Sequence, residues 1–167
     1  MPMLIRPSFR CPFLALALAL AVGVSACGPG YLDVGQKVPA TEPNKEVFEV
    51  LRAYHAAIEG KDVEALKRLV SPKYHSNGGT TEKPDDDFGI DRLTESMPML
   101  RDNVKKVQLR MRLLDMNVSK DVATVDFEFV GRVLLSEGGV DSYKTFDDFN
   151  RMTLEREGGD WRIVGGL

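Results

Sequence analysis

Few side chains in this sequence can do chemistry, and two of them are histidines. His55 and His75 carry the one group whose ordinary titration lies near neutral pH. His75 stands in a polar stretch, from which it can serve as a base at the lip of a cavity. A lone loop histidine is more often exposed or hydrogen-bonded without a catalytic part, so no catalytic residue is assigned. His55 follows Tyr54 directly. Neighbours on a helix point about 100° apart, so those two are not expected to share a cavity wall. Tyr54, Tyr74 and His75 are the candidate ligand-binding residues. Two histidines cannot form a metal site without carboxylate help, and the sequence has no cysteine cluster. Neither a metal nor a cofactor is expected.

The remaining reactive group is a thiol, and its setting is specific. Arg6 and Arg10 precede an apolar run from Pro12 to Ala26, about 15 residues, the length of a signal h-region. A spanning helix needs roughly 20, so a permanent transmembrane anchor is the weaker reading. The run ends Val24-Ser25-Ala26-Cys27, small residues that fit a signal peptidase. This resembles the lipobox of bacterial lipoproteins. The resemblance implies cleavage before Cys27, a diacylglycerol on its thiol and palmitate-type acyl chains. Two or three such chains, at ~0.8 kcal/mol per buried CH₂, hold a protein to a bilayer nearly irreversibly. Gly28 in place of Asp favours the outer over the inner membrane in the sorting known from enteric bacteria. The expectation is a cell-envelope protein with its domain in the periplasm or at the cell surface.

Processing would leave residues 27–167, enough for one ordinary domain. Loss of Arg6 and Arg10 takes the formal charge from −3 to −5. A mildly acidic chain has no electrostatic footprint for nucleic acid. Cys11 goes with the signal and Cys27 is spoken for, so no disulfide is possible in the mature domain. Its stability must come from an apolar core.

The elements that would position these groups are legible as two periods. Residues 27–43 are rich in Gly, Pro and polar residues and read as a flexible tether. A first helix is expected over Lys45–Glu59, with Asn44 as N-cap and Gly60 in the left-handed C-cap. Val47, Leu51, Tyr54 and Ile58 fall on one face. Asp62 caps a second helix carrying Leu66, Leu69 and Val70, which Pro72 ends. Ser71–Gly89 reads as a long loop. A short third helix, with Ile90, Leu93 and Met97 on one side, is expected to end or kink at Pro98. The period then changes to two. Val107, Leu109, Met111 and Leu113 form one strand, and Ala123, Val125, Phe127 and Phe129 a second. A third covers Lys144–Arg156, and Gly158-Gly159 turns into a last strand with Trp161 and Ile163 inward. Arg110, Arg112, Asp126 and Glu128 share the polar phase and are expected to pair across a solvated sheet face. Helices first and an antiparallel meander after them mean α+β.

EVLRAYHAAIEGKDVEALKRLVSPKY (Glu49–Tyr74) and RMTLEREGGDWRIV (Arg151–Val164) resemble the first helices and last hairpin of the nuclear transport factor 2-like superfamily. The resemblance covers residues 44–167 and implies a cone, with a bent sheet wrapped round the helices and a pocket at its wide end. The superfamily includes ketosteroid isomerases and polyketide cyclases. In the isomerases a tyrosine on the first helix stabilises the oxyanion, and Tyr54 stands at the matching place. Their base is an Asp after the second helix, where this chain reads His75-Ser76-Asn77. Asp85, Asp86 and Asp87 are expected to lie too far along a solvated loop. Asp147 and Asp148 are near the second oxyanion donor without matching it cleanly. The expected function is therefore a non-catalytic envelope lipoprotein. It would bind a small apolar ligand or a protein partner, a homodimer included, through the pocket or the sheet face. The alternative is a periplasmic isomerase or cyclase.

Overall fold

A computed structural model describes residues 30–32, 37–77 and 87–167. Residues 1–26, Cys27, Asp85 and Asp86 lie outside them. The order is α1 (Glu42–Gly60), α2 (Val63–Leu69), β1 (His75–Ser76), β2 (Phe88–Gly89), α3 (Ile90–Asp102), β3 (Val104–Val118), β4 (Val122–Glu137), β5 (Val140–Glu157) and β6 (Asp160–Gly165). Strands β3-β4-β5-β6 form one antiparallel sheet in sequence order, and β1-β2 a separate pair. The helices pack on the sheet's concave face, so the expected α+β architecture is the one observed. No helix among the described residues is long and apolar enough to cross a membrane.

The helices start and stop for local reasons. Helix α1 begins three residues before the expected Lys45 because Thr41, not Asn44, caps it. The Thr41 Oγ1 accepts Asn44 N–H at 3.4 Å. Pro43 then falls in the first turn, where its missing N–H loses nothing. At the other end Lys61, not Gly60, takes the left-handed conformation, with φ 53°. Its ammonium donates to Val104 O at 2.8 Å, a tie glycine could not make. Asp62 caps α2 as expected, accepting Ala65 N–H at 2.9 Å. Pro98 lies inside α3 and does not end it. Met97 is buried and Leu93 and Leu100 pack beside the core, so tertiary packing carries the helix past one lost hydrogen bond.

Gly138-Gly139 and Gly158-Gly159, all at positive φ, close two-residue hairpins whose turns demand that conformation. The side chains then alternate along the strands. Leu113, Val125, Phe127, Met152, Leu154 and Ile163 are buried to 2% exposure or less, against Val47 and Leu51 of α1. Trp161 is buried as expected, its Nε1–H donating to Glu46 Oε2 at 3.3 Å. Arg156 lies over its ring at 4.5 Å.

Two expectations need correction. The stretch read as one loop contains the β1-β2 pair, with His75 opposite Gly89 and Ser76 opposite Phe88. The stretch read as a flexible tether is partly docked. Leu32 N–H donates to Val38 O at 3.0 Å, Tyr31 bridges Pro39, and Val38 is buried in the core. Val38 and Leu32 supply the apolar area for this, with full burial of a valine contributing about 1.5–3 kcal/mol.

Candidate functional site

A cleft of about 690 Å³ lies between β1, the sheet and the chain's end. One lip is β1 with His75, Ser76 and Asn77, and Phe88 of β2 stands beside it. The wall is the sheet, through Phe129 and Asp148 to Arg151, and the floor is the chain's end, Gly165 to Leu167. That end is folded inward by three bonds. Tyr74 Oη donates to Leu167 O and accepts Leu167 N–H, both at 3.0 Å. Asn150 Nδ2 donates to Gly166 O at 2.9 Å. Gly166 has φ 84°, and a Cβ there would lie 1.9 Å from Arg151 O. Only glycine fits this crossing.

Of the three candidate ligand residues, only His75 lines the cleft. Its side chain is 63% exposed, and its Nε2 lies 3.4 Å from Asp87 Oδ2. The expectation that Asp87 sits out of reach is corrected, because the β1-β2 pairing folds the loop back and sets the carboxylate beside the ring. Tyr74 is buried, and its hydroxyl is committed to Leu167 on both sides. Burial pushes its pKa up, partly offset by the Leu167 backbone and Ser76. Tyr54 packs against the core from α1. Burial, and then the neighbouring Tyr74, push its pKa up to about 12. It is a neutral phenol at any physiological pH, and it is not part of the cleft lining. Tyr54, Tyr74 and His75 are therefore not brought together on one wall.

His55 belongs elsewhere. With Leu32, Phe48, Leu51, Arg52, Met111 and Leu113 it lines a cavity of about 380 Å³ between α1 and β3. Its Nε2 meets Leu109 O at 2.7 Å. A carbonyl can only accept, so that nitrogen carries the proton. Glu59, one turn further along α1, accepts Leu109 N–H at 2.8 Å. Together they satisfy both backbone groups of one residue on the β3 edge.

The solvated sheet face carries ion pairs, partly as expected. Arg112 Nε donates to Glu128 at 2.7 Å, and the two are register partners. Asp126 pairs instead with Arg151 of β5, at 2.6 Å through both oxygens. That guanidinium holds the Asp126 carboxyl below its usual range. Asp148 lines the cleft, and its Oδ1 accepts Phe149 N–H at 2.7 Å. No group of three or more metal-ligating side chains occurs among the described residues. The sequence reading missed Phe88, Phe149, Asn150 and Gly166. Alternation marks Phe149 as solvent-facing, and nothing in its spacing says that the strand's open edge meets a cleft.

Comparison with known proteins gives the frame for this geometry. A family model described as a SnoaL-like domain matches residues 47–165. No curated protein matches the sequence. Among solved structures, the chain is similar to a ketosteroid isomerase-like protein from Erwinia carotovora atroseptica SCRI1043. The two are 18% identical with a TM-score of 0.60, over 75% of this chain and 94% of that one. It is similar to a nuclear transport factor 2-like superfamily protein from Salmonella enterica serovar Typhimurium LT2, at 18% identity and TM-score 0.58, over 73% and 86%. It is also similar to a candidate scytalone dehydratase from Novosphingobium aromaticivorans DSM 12444, at 11% identity and TM-score 0.62, over 74% and 80%. Likenesses at this identity carry the fold alone.

Proposed function

Because this chain belongs to the SnoaL-like domain family and has the nuclear transport factor 2-like fold, we propose that it is a lipid-anchored envelope protein that binds a small apolar ligand in its wide-end cleft and leaves it chemically unchanged. The family includes isomerases and cyclases, and proton transfer of that kind needs a base and an oxyanion stabiliser at the same reacting atom. Here the tyrosine is in the core, and the one imidazole of the cleft is at the rim. The observation that carries the reading is that Tyr54 is not in the lining that holds His75, combined with the aromatic lining of Phe88, Phe129 and Phe149. Anchoring rests on the Val24-Ser25-Ala26-Cys27 sequence, with Gly28 favouring the outer membrane.

The test is native mass spectrometry of the processed protein purified in mild detergent from its own host. A retained apolar molecule is expected on the natural protein and is lost from Phe149→Glu. Fractionation of cells carrying Cys27→Ser checks the anchor separately, and the protein should leave the membrane pellet. The enzymatic reading draws on the His75–Asp87 contact and on the isomerase-like and dehydratase-like neighbours. It wins if the retained molecule is converted by the natural protein and not by His75→Ala.

A further inference from the structure

The outer face of the sheet is neutralised along one stretch and left cationic along the next. Arg112 of β3 lies opposite Glu128 of β4 and donates to it at 2.7 Å. Arg151 of β5 lies opposite Asp126 and donates to both its oxygens at 2.6 Å. Further along the same ladder this pairing stops. Arg110 faces Val130, and Lys106 faces Leu134. Arg132 faces Gln108 on one side and Thr145 on the other. Opposite residues of an antiparallel pair share a sheet face, so these side chains all lie on the exposed side. Among the described residues no acid lies within ion-pair reach of Lys106, Arg110 or Arg132. Three cations so close on one face repel one another unless a negative group sits among them.

The same residues border a groove of about 460 Å³, lined on this face by Gln108, Arg110, Val130, Arg132 and Thr145. Glu59 stands at its β3 edge and is already engaged. Its Oε1 accepts Leu109 N–H at 2.8 Å, and its Oε2 lies 3.9 Å from His55 Nε2. Asp147, opposite Val130, is the other acid beside the groove. The Arg132 guanidinium lies over the Tyr143 ring at 4.0 Å. A stacked guanidinium is held in orientation and keeps its planar fork of N–H donors for a ligand. Neighbouring strands are ~4.8 Å apart, so Gln108, Arg132 and Thr145 make a row of three donors about 10 Å long, with Arg110 diagonal to it.

We propose that this groove binds a phosphate group carrying two negative charges, as the free ion or as a monoester. The two guanidiniums supply N–H forks that match phosphate oxygens. Gln108 Nε2 and Thr145 Oγ1 add neutral donors on either side of Arg132, and Lys106 adds a third positive charge at the rim. A carboxylate fits less well, because its two oxygens occupy one fork and leave the other cation unmatched. Except for Arg151, cited for contrast, no residue named for this site lines the cleft beside His75. The site stands independently of the apolar-ligand and anchor proposals.

The test is calorimetric titration of the full chain in neutral detergent, at low salt in a buffer free of phosphate. Glycerol 3-phosphate and inorganic phosphate are the two probes. At least one should bind saturably, one molecule per chain, with a Kd of about 1 mM or below. A clear preference for the ester assigns a headgroup-like monoester, and equal binding assigns the free ion. Arg110→Gln and Arg132→Gln should each weaken binding about tenfold. Arg132→Lys keeps the charge without the fork and should recover only part of the loss. Asp147→Asn should tighten binding, since it removes a repelling charge. Arg112→Gln combined with Glu128→Gln removes a cation of the same face together with its partner, and should leave binding within about twofold. A thermal melt of each variant checks that the fold is kept. The proposal is overturned if neither probe binds saturably by about 10 mM. It is equally overturned if the Arg112 and Glu128 double variant loses as much affinity as Arg132→Gln, which would mean diffuse surface charge in place of a site.

Discussion

The two edges of this sheet face the same physical problem and are treated in opposite ways. An edge strand presents N–H and C=O groups that must find water or a partner. On β3 the partner is α1. His55 and Glu59 take both polar groups of Leu109, and Lys61 takes Val104 O. On β5, β6 covers the last residues, Gly166 and Asn150 close the next stretch, and among the described residues no strand other than β4 pairs with residues 140–149. A helix lying along an edge can imitate a neighbouring strand with two side chains one turn apart, provided they face the same ladder position. Among the described residues nothing comparable lies along the first half of β5.

The contrast can be broken from the β5 side first, where the effect should be largest. Gly166→Ala places a methyl group against Arg151 O in a left-handed backbone, and should cost roughly 2–4 kcal/mol in chemical denaturation. A loss below 1 kcal/mol would mean that the chain's end is not held where described. Removing both clamps of β3, as His55→Ala with Glu59→Ala, should cost about 2 kcal/mol, near 1 for each bond. It should also make β3 as open as β5, with faster aggregation by light scattering. Glu59→Gln keeps an acceptor and should recover most of the loss. Lys61→Met should cost about 0.5–1.5 kcal/mol, the worth of one hydrogen bond. If the melting temperature is unmoved, Val104 O is equally well served by water. The smallest effect concerns Asp126, near the start of β4, whose pKa is depressed by Arg151. A group depressed on folding contributes stability above its unfolded pKa of about 3.9, and loses it as pH falls through the lower folded value. Arg151→Met should therefore be slightly less stable than the parent at neutral pH, and equal to it once acid has protonated Asp126 in both. A gap that persists in acid would assign the loss to packing instead.

What was legible in the sequence follows from which interactions are local. The inward face of α1 and the alternation of β3, β4 and β5 are written in spacing, because side-chain direction is set by the backbone period. The glycine pairs mark their hairpins for the same reason. The start of α1 was misplaced because Thr41 and Asn44 are both good caps and only docking of residues 37–40 decides between them. The β1-β2 pair is too short to leave a period, so the return of Asp87 to His75 was invisible. His55 and Glu59 are one turn apart in plain view, but their partner Leu109 is fixed only by how α1 lies against β3. In the cleft His75 was legible as a polar rim residue. Tyr54 was legible as an apolar-face residue, and its absence from the cleft's lining was not.

The docking of residues 30–32 and 37–40 changes what anchoring through Cys27 would mean. A loose leash of residues 27–43 could stretch tens of ångströms and let the body wander. With Gly30 held by Ala40 N–H, only three residues of slack remain, at most about 10 Å of chain. If Cys27 carries the anchor, the body would ride close to the lipid surface like a moored hull.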